Sequence, residues 1–132
     1  MCLRLHVGGL CEALVGPRAP IWMSRLLLRE LGNPTEALPK VVDEFIRPNF
    51  EAIRACVAGL MPRNTKPLDV AMHALSVIGQ CLHYRHTAPI TLRLLSFADY
   101  PADFSVRLAR HVLSVTFRAI GRADLAPGEA AS

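Results

Sequence analysis

Through the middle of the chain the apolar positions keep helical time. Val42, Phe45, Ile46, Phe50, Ile53, Val57 and Leu60 follow one another mostly at steps of three and four, the spacing that gathers side chains on one side of a helix with 3.6 residues per turn. The pattern crosses Pro48 without losing phase. It predicts one helix over residues 39–61, kinked near 44–48 because Pro48 has no N–H to offer the Glu44 carbonyl.

Upstream, residues 1–15 read as the end of a helix weakened by Gly8-Gly9, after which Gly16-Pro17 and Ala19-Pro20 break the chain. A helix is expected from Ile21 to Leu31, with Trp22, Leu26 and Arg29 on one stripe and Gly32 to end it. Asn33, Pro34 and Glu36 have the types and spacing of a helix start with a capping box, while Pro39 makes residues 34–38 a separate turn.

Downstream, Pro62 to Pro67 is a loop. The helix predicted over 68–87 is apolar on nearly every side, so it is expected to be buried all round. A short helix over 89–95 and a last one over 101–120 follow. In the last, Asp103, Arg107, Arg110, Ser114 and Arg118 form an exposed stripe. Leu108, Val112, Val115 and Ala119 repeat there like a bundle seam. No strand pattern of convincing length occurs, so the fold class is all-α, a bundle of about five to six helices.

Composition adds a partner or a cavity to this picture. Of 132 residues, 52% are hydrophobic and 20% charged, apolar for so short a chain, and the surplus implies an apolar face that meets a partner or a large internal groove. The net charge of +4 is spread over scattered arginines and lysines, with neither a dense basic run nor a helix-turn-helix pattern, so this chain alone is not expected to bind nucleic acid. Cys2, Cys11, Cys56 and Cys81 form no Cys-x-x-Cys pair and no disulfide framework of a small secreted domain. Cys56 and Cys81 sit in apolar runs as small hydrophobes, which fits a reducing cytoplasm. The longest uncharged run, Val70 to Tyr84, is too short and too polar to span a bilayer.

Candidate chemistry is sparse. His83 and His86 are three apart on a helix, but a zinc or iron site needs a third ligand in good geometry, and no metal or cofactor is expected. Serine-nucleophile, phosphate-loop and dinucleotide signatures are absent, so no enzyme activity is expected. More informative is a stripe of Asp69, His73, Ser76, Gln80 and Tyr84, largely uncharged, which suits either a solvent face or the wall of an amphipathic pocket. Gly79, inside the same helix, costs roughly 1 kcal/mol relative to Ala and points to close approach of another helix or to a local weakness.

Three blocks then carry a resemblance: Arg29 to Leu38, Phe45 to Glu51, and Leu75 to Arg85. Over roughly residues 20–118 the chain resembles the C-terminal sensor and dimerisation domain of TetR-family transcription regulators, in the CecR-like (YbiH-like) branch. His83 stands where that likeness leads one to expect an aromatic. The resemblance implies a homodimer joined by the last two long helices, here 68–87 and 101–120, and a pocket for a small, mostly apolar molecule. Ligand binding in such proteins changes the spacing of two N-terminal helix-turn-helix domains, a coupling that needs two states of unequal ligand affinity. A helix-turn-helix of roughly 50 residues normally precedes such a segment, whereas Met1 falls inside what resembles the connecting helix.

On this reading residues 1–19 are a remnant connecting helix and loop, 20–120 the sensing and dimerisation domain, and 121–132 a flexible tail. The ligand candidates are Trp22, Leu26, Arg29, Phe45, Phe50, Ser76, Gln80 and Tyr84. The interface candidates are Leu75, Ile78, Gly79, Leu82, Leu108, Val112 and Val115. The alternative is a stand-alone helical interaction module that heterodimerises with a full-length regulator and takes no small molecule.

Overall fold

The computed structural model describes residues 2–128 and shows helices without a strand among them. In chain order these are α1 (Cys2–Val15), α2 (Trp22–Gly32), α3 (Ala37–Val41), α4 (Arg47–Leu60), α5 (Pro67–His86), α6 (Ala88–Leu94) and α7 (Phe104–Ala119). A π-helical segment, Val42–Ile46, joins α3 to α4 without a break. Among the described residues no helix is long and apolar enough to cross a membrane.

The helix expected to be weak at Gly8-Gly9 is intact and central. Leu3, Val7, Cys11 and Val15 recur every four residues on α1 and are all buried. Two internal glycines cost roughly 2 kcal/mol together. Burying Leu3 and Val7 alone contributes roughly 1.5–3 kcal/mol each, so packing outweighs propensity. This stripe lies against α7, α5 and α4, and the segment set apart as 1–19 therefore shares one core with the rest.

On α7 the side turned inward carries Ser105, Leu108, Ala109, Val112, Leu113, Thr116 and Phe117. Asp103, Arg107, Arg110 and Arg118 are exposed as expected, and Val115, an interface candidate of the seam, is exposed with them. α5 departs further. Val70, Ala74, Val77, Ile78 and Cys81 face the core, whereas Leu68, Met72 and Leu75 are 69%, 57% and 55% exposed. The expectation that this helix is buried all round is thus corrected: the chain covers only one of its apolar sides.

Two local starts also differ from expectation. Pro48 falls just inside α4, and the strain it would place on the preceding turn is taken up by the π segment, where the Arg47 N–H bonds the Val42 carbonyl five residues back. At the α2–α3 corner neither Asn33 nor Glu36 caps. Instead Glu30, 4% exposed, accepts from the Thr35 N–H at 2.8 Å and from its hydroxyl at 2.8 Å. Thr35 Oγ1 in turn accepts from the Ala37 N–H at 3.2 Å. Donation by the Thr35 backbone and then its hydroxyl holds the Glu30 carboxyl below its ordinary range.

Beyond α7 the chain turns through Gly121, at a φ of +78° that favours glycine, and forms a short 3₁₀ turn at Ala123–Leu125. Leu125 and Ala126 pack on the core, and Arg4 donates to the Leu125 carbonyl at 2.6 Å. Of the expected tail, 121–128 is thus bound to the body, and 129–132 lie outside the described residues.

Candidate functional site

Between α1, α2, the π segment and α5 lies a cavity of about 260 Å³ with predominantly apolar walls. α1 contributes Leu10 and Leu14, α2 contributes Trp22, Met23 and Leu27, and the π segment contributes Phe45 and Ile46. α5 closes it with Ile78, Leu82 and His86. Trp22, the single tryptophan of the chain, stands edge-on to Phe45 with ring centroids 6.3 Å apart. The π turn places Phe45 and Ile46 on the wall; such single widened turns recur at functional sites.

The cavity has few polar groups: Ser24, Asn49 and His86. Asn49 is engaged with its own helix, its Nδ2 donating to the Phe45 carbonyl at 3.2 Å. His86 is not. Its Nε2 is buried and finds no hydrogen-bond partner among the described residues. Burial, and secondarily the positive charge of Arg85, push its pKa below the ordinary histidine value, so the ring is neutral at pH 7. A neutral imidazole on the cavity wall thus carries a buried nitrogen with an unused hydrogen bond, a cost unless something else supplies the partner. Next to it, Arg85 donates to the Leu14 carbonyl at 2.5 Å and ties the end of α5 to the end of α1.

The structure divides the ligand candidates. Trp22 and Phe45 meet at the cavity. Leu26 and Arg29 fall on other sides of α2, with Arg29 exposed, and Phe50 packs on the core. Ser76, Gln80 and Tyr84 lie on the opposite side of α5: Gln80 donates to the Ser76 carbonyl at 3.1 Å, and Tyr84 packs on Phe104 with centroids 5.5 Å apart. Positions two apart on a helix differ by about 200°, so a stripe through 76, 80 and 84 and one through 78 and 82 cannot face the same space. Ile78 and Leu82, expected at the interface, accordingly line the cavity.

Of the other interface candidates, Leu108 and Val112 are buried within the chain at 3% and 0% exposure. Leu75, Gly79 and Val115 are exposed. A Cβ added at Gly79 meets nothing within 4 Å, which leaves the surface of α5 open there. His86 was passed over in sequence because a histidine near a helix end reads as a surface group. Only the packing of the helices brings it to the cavity wall with Nε2 buried.

A second depression, about 380 Å³, runs between α1 and α7 past Arg4, Glu12, Ser105 and Arg110. It is more open and more polar, and its floor is already paired, Ser105 donating to Glu12 at 2.6 Å.

Among known families, one model matches residues 2–120: the C-terminal domain of the HTH-type transcriptional dual regulator CecR. No curated protein and no solved structure matches the chain.

Proposed function

This chain belongs to the family of the CecR regulator's C-terminal domain, and from that premise we propose that it is the ligand-sensing and dimerising body of a transcription regulator. The observation that carries the sensing half is the apolar cavity with His86, whose buried Nε2 has no partner among the described residues, on its wall. Apolar walls with a few fixed polar groups are what small-molecule sites present. The volume of about 260 Å³ is just below the roughly 300–1,000 Å³ of drug-sized sites. The ligand is therefore a small apolar molecule bearing one hydroxyl, carbonyl or similar group for His86. Ligand contact with the π segment and α2 on one side and α1 on the other supplies the differential affinity between two arrangements of these helices.

The dimerising half rests on the exposed apolar stripe of Leu68, Met72 and Leu75 on α5, beside open Gly79 and exposed Val115 on α7. Those side chains gain from a partner, either a second copy or the same face of a full-length regulator. A panel of short-chain alkylphenols screened by thermal shift tests the sensing half. Ligands that bind the folded state raise its stability by about 2.7 kcal/mol at a hundredfold excess over Kd. Leu82→Trp, which fills the cavity, is expected to abolish every such shift; shifts that survive it place the binding elsewhere.

A further inference from the structure

At the far end of α1 from His86, three metal-capable side chains converge. Cys2 and His6 are four residues apart and so one turn apart on α1. α4 lies against that helix and brings Cys56 to it from 54 residues away, with Cα atoms of the two cysteines 6.1 Å apart. The sulfurs of Cys2 and Cys56 are joined as a disulfide, which corrects the expectation that Cys56 is a free core thiol. The His6 nitrogen and both sulfurs lie within 4.8 Å of one another. Cys2 and His6 are exposed and Cys56 is 9% exposed, so solvent reaches the cluster.

We propose that in its reduced state this cluster is a binding site for a thiolate-preferring divalent ion of the zinc class, held by Cys2, His6 and Cys56. In a reducing compartment the sulfurs stand as thiols. Zinc bonds sulfur at about 2.3 Å and imidazole nitrogen at about 2.0–2.1 Å, so neighbouring ligands of a tetrahedral ion stand roughly 3.3–3.8 Å apart. Reduction breaks the bond between the two sulfurs and lets them separate toward that range, while the i, i+4 pair on α1 and Cys56 from α4 keep all three ligand atoms within 4.8 Å of one another. Three protein ligands leave the fourth position to water. Each ion bound displaces one proton from each thiol. The ion ties α1 to α4, both of which also wall the cavity, but the assignment stands independently of any small-molecule role.

The other cysteine pair gives an internal contrast. Cys11 and Cys81 are buried with sulfurs 3.6 Å apart. The contact with Cys11, then burial, pushes the Cys81 thiol up. Buried in the core with its thiol held protonated, Cys81 makes a poor ligand, and no third ligand group joins this pair among the described residues.

The test uses the untagged chain reduced with a water-soluble phosphine, then titrated with Co²⁺ and competed with Zn²⁺. The phosphine takes the oxygen of a water molecule as phosphine oxide, and the two hydrogens of that water end on the two sulfurs. Reduced protein is expected to show a thiolate-to-Co²⁺ charge-transfer band saturating at one ion per chain, and oxidised protein none. Cys2→Ser and Cys56→Ser should each weaken binding by at least about a hundredfold, beyond the 10–100-fold typical of altering a supporting residue. His6→Gln, an exposed change that leaves the core untouched, should weaken it about tenfold, and Cys81→Ala should leave the band in place. No thiolate band in the reduced chain, affinity unchanged in His6→Gln, or loss of the band in folded Cys81→Ala would each overturn the assignment.

Discussion

Replacing His86 by leucine separates what the cavity does for stability from what it does for binding. Nε2 is buried without a partner, and a buried polar atom left unsatisfied costs about 1–3 kcal/mol. Leucine has similar bulk and no polar atom. Because the rest of the ring is only partly buried, the lower end applies, and the free protein should gain about 1 kcal/mol. For a domain of this size that is an increase in Tm of roughly 3–5 °C. Thermal unfolding followed by circular dichroism at pH 7.5 measures it, with a urea series as a check. The pH dependence should change as well. The native pKa of His86 lies below its ordinary 6.5, so its contribution is complete above that value. It falls as the pH drops toward the native pKa, because the unfolded chain takes up the proton first. His86→Leu should remove that decline. Alkylphenol binding should weaken roughly fivefold to tenfold, the worth of about one hydrogen bond. If the variant instead loses more than about 1 kcal/mol, Nε2 has a structural partner and the argument from an unused hydrogen bond fails.

Three further outcomes follow from the same packing. Leu75→Asp should leave the melting temperature of the isolated protomer within a degree or two, since the side chain is 55% exposed. In sedimentation it should abolish self-association, whereas dimers of unchanged affinity would remove this face from the interface. Phe117→Ala should cost about 3–5 kcal/mol, because Phe117 is 0% exposed and its neighbours come from α1 and α7; a loss below about 1.5 kcal/mol in urea denaturation contradicts the shared core. Glu30→Gln should flatten the acid limb of stability. The depressed native pKa of Glu30 gives stability that is present above the ordinary carboxylate range and lost as pH falls through the native value. An acid transition identical to the parent's would mean that Thr35 does not hold the carboxylate.

The helices were legible in the apolar spacing wherever one face dominates, as in α4 and α7. Where the pattern offered several apolar faces, on α5, periodicity could not say which side the protomer covers and which it leaves open. The cavity inherited that ambiguity. Trp22 and Phe45 were recognisable as large aromatics on the right elements, yet the choice between the 76/80/84 and 78/82 stripes depends on how α1 crosses α5. α1 itself was undervalued because local glycine cost is visible in sequence and burial against α7 is not. The same is true of Cys2 and Cys56, whose juxtaposition is a tertiary event across 54 residues.

The ligand-sensing claim meets its most direct test in isothermal titration of the alkylphenol panel into the wild-type chain and Leu82→Trp side by side. Saturable binding of at least one compound at one site per chain is expected, with the negative heat-capacity change of apolar burial, and no heat from a folded Leu82→Trp. Binding of equal affinity and stoichiometry in the filled variant, or no binding by any member of the panel to the wild type, would contradict it.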